Sequence, residues 1–240
     1  MRILVMLYGV ASYFLFFAVF VYFIGFVGDV FVPKSISSEA LMNSNNALLI
    51  NIGLIALFGI QHSIMARDWF KEAIASIVPH HMERSTFVLV STIVLAALMY
   101  FWQPMAGIIW QIENTLVQKI IWVVFGIGWA LIFISTFLTD HFDLFGLRQS
   151  WLHFVKKTYT PVRFTERLVY RWIRHPMMLG IVIAFWAVPT MTTGHLVFSI
   201  GMTFYVLIGI HFEEKGLAKS IGPLYKEYQS RTSKIIPKIH

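Results

Sequence analysis

Five stretches of this chain contain no Asp, Glu, Lys or Arg: residues 3–28, 40–66, 85–112, 120–139 and 175–212. Nothing else in the sequence constrains the fold as much. A helix crossing a ~30 Å hydrocarbon core needs about 20 mostly apolar residues, and the first four runs each supply one such helix. Inside lipid every backbone polar group must be satisfied within the protein, so the spanning elements are helices. The chain is 13% charged and 58% apolar, against about 25% charged in an ordinary soluble domain. It reads as an all-α polytopic transmembrane bundle.

The fifth run, 38 residues long, would make a single helix of roughly 57 Å, too long for one crossing. It is interrupted at Pro189–His195, "PTMTTGH", where proline, threonines and glycine signal a turn. The expectation is a C-terminal helical hairpin with arms near 172–188 and 196–212, the first arm short. Four full spans plus this hairpin form one membrane domain over 1–240. Residues 1–139 make its four-helix part, and 140–240 supply a loop, the hairpin and a C-terminal segment.

Lys and Arg are unevenly distributed among the connections. Arg2, three residues in 67–84, seven in 140–174 and six in 213–240 fall on one side if six segments alternate; Lys34 and Lys119 fall on the other. Cytoplasmic loops collect Lys and Arg, which places the rich side and both termini in the cytoplasm. The net charge of +7 then points to anionic lipid headgroups as partners rather than nucleic acid. The first apolar run is too long for a signal peptide's apolar region. There is no cysteine, which excludes disulfides, thiolate catalysis by the protein and Cys-ligated metals. His80 and His81 in "PHHMER" diverge on a helix and no HExxH occurs, so no metal is expected. The GxSxG, GKS/T and GxGxxG patterns are absent as well. The middles of the segments hold no ionisable residue, which argues against a transporter with a midplane site.

The same topology delivers titratable groups from four segments to one layer. Gln61, His62 and Arg67 end the second segment; Asp140, His141, Asp143 and Arg148 end the fourth. Arg174 and His175 begin the fifth, and His211, Glu213 and Glu214 end the sixth. Lys156, Lys157, Arg163 and Arg167 read as solvated or snorkelling interfacial residues. His62 reads equally well as a histidine hydrogen-bonded to a neighbouring helix. Two successive carboxylates at a helix C-terminus are electrostatically unfavourable and call for a cationic partner.

The C-terminal third carries a specific pattern: "RHPMMLG" at 174–180, then "EEKGLAKSIGPLYKEYQSRTSKIIP" at 213–237. It resembles the isoprenylcysteine carboxyl methyltransferase and phospholipid methyltransferase superfamily of membrane enzymes. Arg174, His175, Pro176, Gly180, Glu213, Glu214, Leu217, Gly222, Tyr225, Tyr228 and Pro237 match the shared motif. Met178 stands where the isoprenylcysteine enzymes carry tyrosine, which points away from a prenylated acceptor. "FGIQHSIMAR", "HMERSTFVLVS" and "HFDLFGLRQ" extend the likeness over nearly the whole chain, to the bacterial methanethiol S-methyltransferases and the related nitrite-reduction accessory membrane proteins.

The resemblance implies a multi-pass protein of the bacterial cell membrane. It implies methyl transfer from S-adenosylmethionine to methanethiol, a small volatile thiol, giving dimethyl sulfide at the cytoplasmic face. Methylation of a larger or lipid-borne thiol, amine or carboxylate, and a non-catalytic accessory role, stay open as alternatives. Arg174 and His175 are expected to answer the donor's carboxylate, with the Arg giving the better-defined bond. Glu213 or Glu214 would answer its ammonium or ribose hydroxyls. Tyr225 and Tyr228, three apart on one helical face, would wall the adenine; Pro176 and Gly180 complete the motif. Because the thiolate is the nucleophile, a base is needed. His141, His62 and Asp143 are the candidates, His141 being preferred because Asp140 and Asp143 are close enough in sequence to orient it.

Overall fold

The computed structural model describes residues 1–162 and 164–236; Arg163 and Pro237 lie outside the described residues. In chain order the elements are α1 (Arg2–Gly28), α2 (Ser44–Met65), α3 (Asp68–Ile74), α4 (His80–Phe101), β1 (Ile108–Gln111), α5 (Thr115–Thr139), α6 (His141–Leu144), α7 (Leu147–Phe154), α8 (Pro176–Trp186), β2 (Thr190–Thr192), α9 (Thr193–Ser220) and α10 (Pro223–Arg231). The protein is an all-α polytopic membrane bundle. Helices α1, α2, α4, α5 and α9 are each long and apolar enough to cross a bilayer.

Local chemistry explains where the helices begin. Asn43 caps α2 by accepting from the Asn46 N–H at 3.0 Å, and Asn114 caps α5 by accepting from Leu116 and Val117 at 3.0 and 3.1 Å. Proline occupies the first turn of α8 and of α10, where its missing N–H costs nothing.

The chain divides into two compact units. The first comprises Met1–Gly107, Asp140–Val162 and Thr193–Val197. In it α1 packs on α4 and α7, and α2 packs on α4. Small residues let these helices approach, as is usual in lipid, where packing rather than apolar burial drives association. A Cβ placed on Gly9 would lie 2.9 Å from the Ser150 Cβ, and the Ser85 and Ser150 hydroxyls are 3.4 Å apart. Gly146 starts α7 at φ 85°, and a Cβ there would sit 2.6 Å from the Ser85 backbone nitrogen. Glycine is therefore required for both conformation and space. Asn51, fully buried in α2, clamps the Gln103 backbone by donating to its carbonyl at 2.7 Å and accepting from its N–H at 2.9 Å.

The second unit comprises Ile108–Thr139, Arg163–Thr192 and Phe198–His240. Its principal packing is α5 against α8. Gly128 of α5 meets Gly180 and Ala184 of α8: a Cβ on Gly128 would fall 2.8 Å from the Ala184 nitrogen and 2.9 Å from the Gly180 oxygen. The hairpin expected at the end of the chain is present, but its tip is not a simple turn. Thr190–Thr192 runs antiparallel to Ile108–Gln111, with Ile108 opposite Thr192 and Gln111 opposite Thr190. This pairing satisfies a non-helical backbone that could not stand exposed in lipid. The first arm, α8, has 11 residues, about 16 Å of helix, so it does not span.

Gly128→Val should force the α5–α8 backbones apart. We expect a loss of about 1–3 kcal/mol, the usual cost of overpacking, read as a lower midpoint of heat-induced unfolding in detergent. An unchanged midpoint would show that the two helices do not approach this closely.

Candidate active site

The "RHP" tripeptide lies in extended backbone ahead of α8. The Arg174 N–H donates to the Ser233 carbonyl at 2.8 Å and the His175 N–H to the Lys234 carbonyl at 3.1 Å, while Ile173 and Ser233 form a parallel bridge. Pro176 has no N–H to continue this pairing and instead opens the helix. Two segments some 60 residues apart in sequence are thereby zipped together just before α8.

The Arg174 side chain extends this junction to α9 and α10. Its Nε and Nη2 both reach Oε1 of Glu214 at 2.7 Å. Its Nη1 donates to the carbonyl of Gln229 at 3.1 Å and to that of Thr232, at the end of α10. His175 Nε2 lies 3.2 Å from the same Glu214 oxygen, and Lys234 Nζ lies 3.5 Å from the other one. The side chains of Arg174, Glu214 and His175 are only 9%, 11% and 4% exposed. The carboxylates are not at a helix end, because α9 continues to Ser220. Their need for a cation comes from burial rather than from the dipole, and Arg174 meets it.

Glu213 is placed differently. Its carboxylate is 47% exposed, with His175 Nδ1 at 3.6 Å. Gly222, at φ 75° and ψ −137°, a region essentially reserved for glycine, reverses the chain into α10. That helix buries Tyr225 and Tyr228 with their rings 5.9 Å apart, and Phe164 lies edge-on to both. The Tyr228 hydroxyl donates to the Tyr170 carbonyl at 2.5 Å. The Tyr225 hydroxyl is buried and finds no partner among the described residues. Burial, reinforced by Glu166, pushes the Tyr228 phenol up to about 12. Burial also raises the Tyr225 phenol, with Glu214 adding to the effect. Both therefore stay O–H donors near neutral pH. Gly180 contacts the backbone of α5 rather than any polar group of this cluster.

His62, His141 and Asp143 belong to the first unit. The His62 ring stands 4.8 Å from that of Phe87 and 5.6 Å from that of Phe58. His141 is buried, with Nε2 at 2.8 Å from the Tyr13 hydroxyl and Phe145 and Phe17 around the ring. Burial lowers its pKa below the usual histidine value, and the charge of Asp140 offsets part of that. The Asp143 carboxylate is held by Arg148 at 2.8 Å and by the Tyr159 hydroxyl at 3.2 Å. Asp140 caps α6 by accepting from the Asp143 N–H. Tyr13, on α1 and more than a hundred residues away, is the polar group observed on His141 Nε2, and sequence reading gives no sign of it. The carbonyls of Gln229 and Thr232 are equally silent, since backbone acceptors leave no mark in a sequence.

Removing either Arg174 or Glu214 would strand the other's buried charge. Arg174→Ala and Glu214→Ala should each cost about 3–5 kcal/mol, and a paired Met/Met replacement should cost less than either single change. Unfolding of the purified protein in detergent measures all three. Single losses no larger than those of surface substitutions would show that the pair does not hold this junction.

The NnrU protein family model matches residues 50–237. A methanethiol S-methyltransferase of Mycobacterium tuberculosis is 43% identical over 239 residues, covering 100% of this chain and 98% of that protein. One from Crocosphaera subtropica is 43% identical over 98% of this chain and 92% of that protein. Methanethiol S-methyltransferase 1 of Bradyrhizobium diazoefficiens is 42% identical over 98% of this chain and 83% of that protein. No solved structure matches. The chain belongs to the NnrU protein family, among the members named methanethiol S-methyltransferase.

Proposed function

We propose that this protein transfers a methyl group from S-adenosylmethionine to methanethiol, releasing dimethyl sulfide, at the cytoplasmic side of a bacterial cell membrane. The observation that carries this reading is likeness along the whole chain to relatives named methanethiol S-methyltransferase. A likeness confined to the C-terminal motif would have left the acceptor open.

The residues of the second unit suit a donor of this chemistry, with roles revised by the geometry. Arg174 spends its guanidinium on Glu214 and two carbonyls, so it acts as the brace of the site rather than as the partner of the donor's carboxylate. Glu213 and the Tyr225 hydroxyl keep unspent capacity. Glu213 would accept from an ammonium or ribose hydroxyls, and Tyr225 would donate to an oxygen or ring nitrogen. His175 and Tyr228 hold these two in place. When bound, S-adenosylmethionine supplies an electrophilic methyl group on a sulfonium.

The acceptor must lose its proton. An alkyl thiol is a weaker acid than cysteine, whose pKa is about 8.5, so a base raises the thiolate fraction near neutral pH. His141 is proposed for this role. Tyr13 on Nε2 fixes its ring, and the lowered pKa keeps it neutral, and so able to accept a proton, across the physiological range. Asp143, held by Arg148, is assigned no proton-transfer role, and His62 remains the second choice.

Purified protein given methanethiol and labelled S-adenosylmethionine should release labelled dimethyl sulfide into the headspace; no release over a protein-free control overturns the proposal. Tyr225→Phe should weaken S-adenosylhomocysteine binding by about 2–10-fold, the usual worth of a neutral hydrogen bond, while leaving thermal stability intact because no partner is lost. Equal affinity would remove Tyr225 from the donor site. The rate at saturating donor should rise with pH and level off, the midpoint lying below 6.5 because burial favours the neutral imidazole. His141→Asn should lose about 10²–10⁴-fold in rate with donor binding kept. A parent-like rate and profile in that variant would exclude histidine base catalysis.

A further inference from the structure

The first unit holds a second polar site that methyl transfer does not use. A cavity of about 270 Å³ is lined by Lys71, His80, Glu83, Arg84, Asp143, Gln149 and Tyr159, with Leu144. It opens beside the first turn of α4, a helix long and apolar enough to cross a bilayer, and the end of such a helix is where headgroups meet a protein. A water occupies about 30 Å³, so this space exceeds what one or two bridging waters fill.

The charges around it balance in number but are unequally engaged. Glu83 has Lys71 at 3.7 Å, and the same ammonium lies 3.6 Å from Asp68. Asp143 has Arg148 at 2.8 Å and the Tyr159 hydroxyl. Arg84 makes no ion pair among the described residues. Its Nε donates to the Leu144 carbonyl at 2.6 Å, and its guanidinium lies 4.8 Å from the Phe87 ring centre. Anchored on one edge and one face, it offers its Nη donors as a fixed fork, the geometry suited to phosphate or carboxylate oxygens. Gln149 makes the complementary demand. It is 93% buried, since 7% is exposed, and its Nε2 donates to the Asp143 carbonyl at 3.1 Å. Its Oε1 has no partner among the described residues. An occupant must therefore bring an anionic group for Arg84 and an O–H or N–H donor for Gln149.

We propose that this cavity binds a phosphate group carrying a neighbouring hydroxyl, with Arg84 on the phosphate oxygens and Gln149 Oε1 accepting from the hydroxyl. A phosphatidylglycerol headgroup and free glycerol 3-phosphate both present that chemistry. The cavity opens beside the first turn of a helix long and apolar enough to cross a bilayer, and Arg84 and Gln149 are the two lining groups with hydrogen-bonding capacity left over.

The full-length protein tests this in two arms. In detergent, calorimetry with sn-glycerol 3-phosphate reads the free ligand. In nanodiscs, heat-induced unfolding in phosphatidylglycerol is compared with that in phosphatidylcholine. Saturable binding in the first arm, or a higher midpoint in phosphatidylglycerol in the second, supports the site and identifies its source. Arg84→Gln should weaken the response by roughly ten- to a hundred-fold, the range for a charged hydrogen bond. Gln149→Leu keeps the side-chain bulk and should weaken it several-fold, and it serves if Arg84→Gln does not fold. No response in either arm, or both folded variants responding like the parent, overturns the proposal. Displacement of glycerol 3-phosphate by S-adenosylhomocysteine also overturns it, because the cavity would then be part of the donor site. None of these readings depends on methyl transfer, so they stand apart from the fate of the proposed activity.

Discussion

The buried contact between Arg174 and Glu214 is the interaction on which the second unit depends. It joins the segment before α8 to α9, and the same guanidinium gathers the last carbonyls of α10 and the strand-like segment that follows. Three stretches far apart in sequence therefore converge on one planar cation. Lysine could not do this, because a single ammonium cannot present a rigid fork in several directions at once. Glu214 answers with both oxygens, one toward Arg174 and His175 and the other toward Lys234. Tyr225 and Tyr228 are placed by this junction, and Glu213 takes its outward aim from the helix that Glu214 anchors.

What could be read from sequence follows physical period and cost. The spans are legible because a charge inside lipid is expensive, so its absence over 20 residues is a strong statement. The hairpin is legible from length alone, since 38 residues cannot be one crossing. The pairing of Arg174 with Glu214 is half legible: a lone cation at one segment's lip and two carboxylates at another's imply each other. Position along the helix misleads, however, because apolarity ends at Phe212 while α9 runs on to Ser220. Hydropathy marks where lipid ends, not where hydrogen bonding ends. Partners are harder still. Nothing in residues 120–139 indicates that Gly128 will face Gly180, and nothing near His141 indicates Tyr13.

The two polar regions solve the problem of charge near lipid in different ways. Among the described residues of the second unit, the buried charges of Arg174 and Glu214 answer each other, and the groups with capacity left over are a neutral phenol and an exposed carboxylate. In the first unit Asp143 is engaged by Arg148 and Tyr159, and His141 sits in an aromatic shell, where burial lowers its pKa. A thiol as small as methanethiol offers no handle for charge recognition. On the proposed function, apolar surroundings of this kind favour it over larger polar thiols.

The short α8 has a mechanical consequence. A spanning helix accommodates a thicker or thinner bilayer by tilting. Helix α8 is denied that freedom: its start is tied to the C-terminal segment through Arg174 and His175, and the chain beyond it is hydrogen-bonded to β1. Gly180 and Ala184, lying against the backbone of α5, remove sliding as well. Swelling or thinning of the membrane, as with temperature or a change of acyl chains, must then be absorbed by the long helices. The arm that carries the motif keeps its depth and inclination relative to α5. The Arg174–Glu214 junction at the start of this short helix thus owes its geometry to protein contacts and not to the thickness of the lipid around it.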